Sequence, residues 1–166
     1  RLSLVGSEMC IRDRYYDCVN KEGETMRIIQ SSEVTNIVKD SVIKINYHLE
    51  DSLVSLFKKA QQNETNKIAE SILDDIIKNQ EIASQGNVPL CQDTGVVVVF
   101  IELGKEVYIE GDIYDAINEG VRQGYKEGFL RNSIVNHPFN RQNTKDNTPA
   151  IIHLKMVARM INKNII

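Results

Sequence analysis

A continuous apolar run, Val96-Val97-Val98-Val99-Phe100-Ile101, constrains the fold of this chain more than any other segment. Its β-branched residues predict a strand, and the lack of polar alternation is typical of a strand covered on both faces. The run directly follows a turn-prone segment, Pro89-Leu90-Cys91-Gln92-Asp93-Thr94-Gly95. The sequence therefore predicts a loop bearing a thiol, an amide and a carboxylate beside a buried strand, which is how reactive groups are usually held.

The loop around Cys91 has two interpretations. A lone cysteine before a strand is more often a small buried residue than a ligand. However, Gln92 and Asp93 are poor core residues, and Gly95 indicates a positive φ or a close backbone approach. These neighbours favour a functional loop.

Three amphipathic helices are predicted before this loop. The first is entered at Glu33 after an N-cap by Ser31 or Ser32, and the others span about residues 51–63 and 64–80. Apolar residues recur on one face of each helix, so we expect all three faces to be core. The expected inward residues are Val34, Ile37, Val38, Ser41, Val42, Ile45, Leu53, Val54, Leu56, Phe57, Ala60, Ile68, Ala69, Ile72, Leu73, Ile76 and Ile77.

Two strands joined by a short connection are predicted after the loop. The first strand spans residues 96–103 and the second residues 107–109, with Gly104-Lys105 between them. A connection this short favours an antiparallel hairpin. A further strand is predicted at residues 151–154. Together with the helices, these strands predict the α+β fold class.

A fourth helix is predicted between these strands. Asp112 is its expected N-cap, and the helix runs to about Gly128. Gly120 and Gly124 lie four residues apart on its apolar face. Because glycine costs about 1 kcal/mol in a helix, this pair predicts close packing against another element.

Composition and charge exclude several classes of function. A net charge of −3 gives no electrostatic case for binding nucleic acid or an anionic membrane. The run at residues 96–101 is too short to span a bilayer, so no membrane partner is expected. Three cysteines without CxxC spacing do not predict a secreted disulfide framework, and we expect a reducing, cytoplasmic location.

Residues 1–25 differ from the rest of the chain. The segment RLSLVGSEMCIRDR has neither helical nor strand periodicity and lacks the apolar centre of a signal peptide. It resembles translated sequencing-adapter sequence, and Met26-Arg27 looks like a natural start. We therefore predict a disordered or non-native tail at residues 1–25 and a native segment at residues 26–166. On this interpretation Cys10 and Cys18 have no function.

The segment PLCQDTGVVVVF resembles the cysteine loop of the oxygen-sensitive iron–sulfur hydro-lyases, class I fumarase and L(+)-tartrate dehydratase. The resemblance extends from about Met26 to His153 and includes GYKEGFLRNSIV and NTKDNTPAIIH. It implies that residues 26–166 are the N-terminal part of an α-type catalytic domain. The chain departs from the family at Lys145, where glycine is usual, and after His153. That end is either divergent or an incomplete read, and the chain looks like a fragment.

The resemblance implies hydration of fumarate to (S)-malate, a reaction of the tricarboxylic acid cycle, with a [4Fe–4S] cluster as Lewis acid. Cys91 would be one of three thiolate ligands, and the others would lie outside this chain. Gln92 and Arg131 would contact the small dicarboxylate, for which a guanidinium supplies bidentate partners. Asp93 would take part in proton transfer or orient the group that does. The remaining groups would come from a β subunit or a C-terminal half, so the chain alone is expected to be inactive.

Two alternatives to this function stay open. The chain could be an L(+)-tartrate dehydratase α subunit, or a non-catalytic assembly partner of a β subunit. Arg141 is a further candidate for carboxylate binding, and His153 could serve the core or the site. A role for Cys91 as a bare nucleophile lacks an adjacent histidine base.

Overall fold

The computed structural model describes the backbone of residues 2–4, 7–9, 16–19, 25–86 and 88–158, and the side chains of residues 27–86 and 88–158. Within these residues the helices and strands follow in the order β1 (Leu2–Leu4), β2 (Ser7–Met9), β3 (Tyr16–Val19), β4 (Thr25–Gln30), α1 (Ser31–Tyr47), α2 (Asp51–Asn63), α3 (Lys67–Gly86), β5 (Val98–Gly104), β6 (Val107–Glu110), α4 (Ile113–Glu127) and β7 (Ile151–Val157). The predicted α+β class is confirmed. Every helix in the described part is too short or too polar to cross a membrane.

The core is built on a close contact between α1 and α4. A Cβ atom added at Gly120 would lie 2.6 Å from the Thr35 carbonyl oxygen and 2.7 Å from Val38 Cβ. One added at Gly124 would lie 3.2 Å from Val42 Cβ. Only glycine allows the helices to approach this far, so the predicted close packing is confirmed.

Two hydrogen bonds join the same helices near their ends. Thr35 Oγ1 donates to the Ala116 carbonyl at 3.0 Å, near the start of each helix. The buried Tyr47 hydroxyl donates to the Gly128 carbonyl at 3.2 Å, near their C-terminal ends. The C-terminal ends of α1 and α4 are therefore held side by side.

One predicted helix cap is confirmed and another is wrong. Asp112 caps α4, and its Oδ1 accepts hydrogen bonds from Tyr114 N at 2.7 Å and Asp115 N at 3.1 Å. Ser31 and Ser32 do not cap α1, because Ser31 is already helical and Gln30 occupies the cap position. Strand β4 runs directly into α1, so the cap falls on the last strand residue, whose side chain donates to the Glu110 carboxylate instead.

The predicted positions of α2 and α3 are largely confirmed, but the predicted burial of their apolar faces is wrong except at Ile77. Helix α2 has the predicted bounds and no buried residue, and α3 buries Ile77 and Ala83 alone. Leu56 is 61%, Ile68 74% and Ile72 54% exposed. The two helices pack mainly on each other, so each covers one side of its neighbour only. Periodicity identifies an apolar face but does not show what covers it.

The predicted antiparallel hairpin is also wrong. Strand β5 pairs in parallel with β7, and β6 pairs in parallel with β4. The connection shows why: Lys105 N donates to the Val157 carbonyl at 3.1 Å, whereas the Glu106 carbonyl accepts from Arg27 N at 3.0 Å. Adjacent residues of the connection therefore bond to different strands, and the chain passes from one sheet to the other.

The apolar run of β5 is covered on one face rather than on both. Val97, Val99 and Ile101 are buried in the core, whereas Val98 is 39% and Phe100 52% exposed. The inner face packs on the α1–α4 core. The expectation of a strand buried on both sides is therefore wrong.

The N-terminal region contains short strands. Strand β1 pairs antiparallel with β2, and β3 pairs antiparallel with β4. Strand β4 spans position 26, where the sequence analysis divides the chain. That division stays a prediction, and the side chains of Cys10 and Cys18 lie outside the described residues.

We expect Gly120→Ala to lower the free energy of unfolding by about 1–3 kcal/mol, because its methyl group would meet the backbone of α1. This loss should outweigh the gain of about 1 kcal/mol in helix propensity. Gly104→Ala is a matched control, since its Cβ would meet Val107 at an ordinary 3.5 Å. Urea denaturation would measure both variants, and equal stabilities would contradict the close contact.

Candidate functional site

The loop between α3 and β5 borders an open pocket of about 340 Å³. Cys91, Gln92, Asp93 and Arg131 all line it, and so does the buried Tyr125 of α4. The structure therefore brings together all four residues that the sequence analysis selected, although their chemical roles stay predictions.

Cys91 is a free, exposed cysteine whose backbone is fixed by the helices. Its N–H donates to Asn79 Oδ1 of α3 at 3.0 Å. The N–H of the preceding residue, Leu90, donates to the Asn46 carbonyl of α1 at 2.8 Å. The loop thus rests on two helices, while the thiol faces outwards.

Gln92 connects the cysteine loop to Arg131. Its Oε1 accepts from Arg131 N at 2.7 Å, and its backbone carbonyl accepts from Arg131 Nη1 at 3.1 Å. Its Nε2 donates to Asn46 Oδ1 at 2.7 Å. Of the five guanidinium N–H groups, the described residues engage one, and the exposed remainder can bind a carboxylate.

Asp93 lies exposed at the edge of the pocket. Its Oδ1 accepts from Thr94 N at 2.6 Å and from Thr94 Oγ1 at 3.4 Å. This local turn directs the carboxylate without using its second oxygen. Among the described residues nothing donates to the second oxygen of Asp93, and its role in proton transfer stays a prediction.

The fully buried Asn147 joins the cysteine loop to the segment after Arg131. Its Oδ1 accepts from Ser133 N at 2.7 Å and Ile134 N at 3.1 Å. Its Nδ2 donates to the Gly95 carbonyl at 3.2 Å. One side chain therefore satisfies three backbone groups from two loops.

Lys145, where the family usually has glycine, has a φ of 67°. This left-handed conformation favours glycine, which explains the usual residue at the position. Here Lys145 N donates to Asn143 Oδ1 at 2.7 Å, and the turn is formed with a lysine.

The carboxylate of Asp146 is part of a charged cluster beside this turn. Its Oδ2 accepts from Arg122 Nε at 3.1 Å, and its Oδ1 accepts from Thr148 N and Oγ1 at 3.0 and 2.8 Å. Partial burial alone would raise the pKa of Asp146, but the hydrogen bonds from Thr148 and Arg122 lower it below its usual value.

Burial raises the pKa of Tyr125, so the phenol in the pocket wall stays neutral.

Arg141 and His153 lie outside the pocket of Cys91. Arg141 is exposed in a separate loop with a φ of 51°. His153 is exposed on β7 and stacks on Phe100, with the ring centroids 4.9 Å apart. His153 is thus neither a core residue nor a neighbour of Cys91.

Sequence reasoning missed three asparagines: Asn46, Asn79 and Asn147. Asn79 interrupts the apolar stripe of α3, and Asn46 lies in the last turn of α1. For Asn46 and Asn79 the available signal was an amide on or beside the apolar face of a helix, whereas Asn147 lies in a polar loop that gives no such signal. Their contacts depend on residues distant in sequence, which a local pattern does not show.

The residues present fit one corner of a [4Fe–4S] cluster. Cys91 offers an exposed thiol, which a cluster can reach. Among the described residues, no group of three or more histidine, cysteine, aspartate or glutamate side chains is placed to hold a metal ion. The other ligands would have to come from outside this described part.

Comparison with known proteins places the chain in context. The sequence model of the family described as "Fumarate hydratase (Fumerase)" matches residues 35–165. A Methanocaldococcus jannaschii protein named "Putative L(+)-tartrate dehydratase subunit alpha" is 33% identical over 117 residues, which are 69% of this chain and 41% of that protein. "L(+)-tartrate dehydratase subunit alpha" of Escherichia coli (strain K12) is 26% identical over 117 residues, 70% of this chain and 38% of that protein. The chain spans about two fifths of the length of these relatives.

We expect Asn147→Ala to lower the free energy of unfolding by about 2–4 kcal/mol, because it leaves three backbone groups without their partner. The exposed Asn143 of the same turn is a control, and Asn143→Ala should cost about 1 kcal/mol or less. Chemical denaturation measures both, and similar losses would show that burial of the amide does not matter.

We expect Asp146→Asn to lower stability at neutral pH, with the difference from wild type shrinking in acid. The pKa of Asp146 is lower in the folded protein than in the unfolded chain. The ionised carboxylate therefore stabilises fully above the unfolded pKa of about 4, and this contribution is lost as the pH falls through the folded pKa. Denaturation across this pH range measures the free energy of unfolding of the variant and of wild type. A difference between them that is independent of pH would contradict the prediction. An equal difference in Asp75→Asn, a control at an exposed carboxylate, would also contradict it.

Proposed function

This chain belongs to the fumarate hydratase family, and from that premise we propose that it is the N-terminal part of the α-type subunit of a hydro-lyase. Such a carbon–oxygen lyase adds water to a small dicarboxylate or removes it. The pocket shared by Cys91, Gln92, Asp93 and Arg131 is the observation that carries the proposal. It joins a thiol, a carboxylate and a cation within one open cavity.

Fumarate is the first candidate substrate. Adding water across an alkene conjugated to carboxylates requires protonation at carbon, delivery of hydroxide and stabilisation of the charge that develops on one carboxylate. Arg131 would bind a substrate carboxylate through the N–H groups that Gln92 leaves free. The buried Tyr125 forms part of the pocket wall.

Asp93 would hold or deliver the proton at its free carboxylate oxygen. Thr94 engages the other oxygen, so the orientation of the carboxyl group is set before substrate binds. Gln92 would stay near the substrate and orient Arg131 through its two contacts. A positioned acid–base group of this kind contributes about 10²–10⁴-fold to rate.

A [4Fe–4S] cluster is part of the proposal, with Cys91 as one of its three thiolate ligands. When bound, a cluster with one iron free of thiolate supplies a Lewis acid that activates water and polarises a carboxylate. The other two thiolates would lie outside this chain.

L(+)-tartrate is the second candidate substrate. The names of the two relatives described above, which are L(+)-tartrate dehydratase alpha subunits, favour it. Both candidates are four-carbon dicarboxylates, so the proposed roles of Arg131 and Asp93 are the same for either. The relatives' designation as subunit alpha also supports a β subunit as partner. A cytoplasmic location is proposed with it, since the Cys91 thiolate must stay reduced.

The test uses the enzyme assembled from the complete α-type subunit and its β subunit. The kcat/KM for fumarate hydration and L(+)-tartrate dehydration would identify the substrate. We expect Cys91→Ser to abolish activity and lower the iron content. We expect Arg131→Lys to reduce kcat/KM about 10–100-fold with iron retained, because a bidentate charged contact is lost. Arg141→Lys is the matched control outside the pocket.

Three results would contradict the proposal. Normal assembly without iron or activity would identify a non-catalytic partner of the β subunit. Full activity in Cys91→Ser would exclude the thiolate ligand. Loss of iron in Arg131→Lys would show that Arg131 is structural rather than a substrate-binding residue.

A further inference from the structure

Two helix-borne asparagines hold the cysteine loop at separate points. Asn79 Oδ1 of α3 accepts from Cys91 N at 3.0 Å, and Asn46 Oδ1 of α1 accepts from Gln92 Nε2 at 2.7 Å. We propose that these asparagines are positioning residues with different tasks: Asn79 sets the thiol, and Asn46 sets the substrate-binding arginine. The assignment of these two tasks rests on the proposed function, whereas the hydrogen bonds do not.

The arginine side depends on a chain of contacts from Asn46 through Gln92 to Arg131. Gln92 has both ends of its amide engaged, with Nε2 on Asn46 and Oε1 on Arg131 N. Its backbone carbonyl also accepts from Arg131 Nη1. The Gln92 side chain therefore fixes the backbone of Arg131 through Oε1, and its contact with the substrate stays a prediction.

Asn46 is itself oriented by the core. Its Nδ2 donates to the carbonyl of Val42 at 2.8 Å, and Val42 is almost fully buried. With Nδ2 directed at its own helix, Oδ1 must face Gln92. The backbone carbonyl of Asn46 also accepts from Leu90 N, so Asn46 binds the loop through both its side chain and its backbone.

The thiol side depends on a different helix. Asn79 lies on α3, two residues after the buried Ile77, and its Oδ1 is the acceptor for the Cys91 amide. The contact acts on the backbone of Cys91, so it directs the thiol without covering it. Because α3 has little contact with α1, the two attachments can be lost separately.

The test measures amide hydrogen exchange by NMR on the 166-residue chain, without metal, substrate or partner. In Asn79→Leu, exchange at the Cys91 amide should rise about tenfold while the Arg131 amide is unchanged. In Asn46→Leu, the Arg131 amide should exchange about tenfold faster while the Cys91 amide is unchanged. Asn79→Asp keeps the acceptor oxygen and should restore most of the protection of the Cys91 amide.

The matched control is Asn63→Leu, in a helix far from the loop in sequence. It removes the bond from Asn63 Nδ2 to the Lys59 carbonyl, at 2.9 Å, which is of the same kind as the bond from Asn46 Nδ2 to the Val42 carbonyl. If a leucine variant loses its far-UV circular dichroism, Asn46→Ala or Asn79→Ala replaces it. Joint loss of protection at both amides, no loss at either, or an equal effect of Asn63→Leu would overturn the two-point attachment.

Kinetics of the assembled enzyme test the two tasks separately. Asn46→Leu should raise KM with iron content intact, and Asn79→Leu should lower iron content with little change in KM for the remaining loaded enzyme. The reverse pattern would overturn the assignment. An enzyme that acts on neither fumarate nor L(+)-tartrate would contradict the proposed function, while the exchange result would still decide whether the asparagines hold the loop.

Discussion

The contact between α1 and α4 is the constraint on which the rest of the described structure depends. Gly120 and Gly124 allow the helix backbones to approach, and the Tyr47–Gly128 hydrogen bond holds their C-terminal ends together. Asn46 lies at the end of one helix, and Arg131 follows the end of the other. The pocket lies where these two ends meet the cysteine loop, so its geometry follows from helix packing.

Local chemistry accounts for what could be predicted of the fold. The Asp112 cap and the bounds of α2 depend on residues within one element, and the spacing of Gly120 and Gly124 within α4 indicated the close approach to α1. The pairing of β5 with β7 depends on residues about fifty positions apart. A two-residue connection resembles a hairpin locally, and nothing within it reveals that a distant strand accepts its hydrogen bonds.

The candidate site likewise contains residues that the sequence predicted and residues that only the tertiary structure reveals. Cys91, Gln92, Asp93 and Arg131 were selected because long motifs resemble a family, and the structure places them around one pocket. Asn46 and Asn79 were missed because an asparagine in a helix is usually a surface residue. Their importance comes from what lies opposite them, and that depends on tertiary contacts.

The partly exposed outer face of β5 also affects how the polypeptide behaves in solution. Val98 and Phe100 face outwards there, and Ile68 and Ile72 are exposed on α3. Exposed apolar surface of this kind favours self-association. The outer face of β5 and the exposed face of α3 are therefore the surfaces through which we expect the polypeptide to associate as its concentration rises.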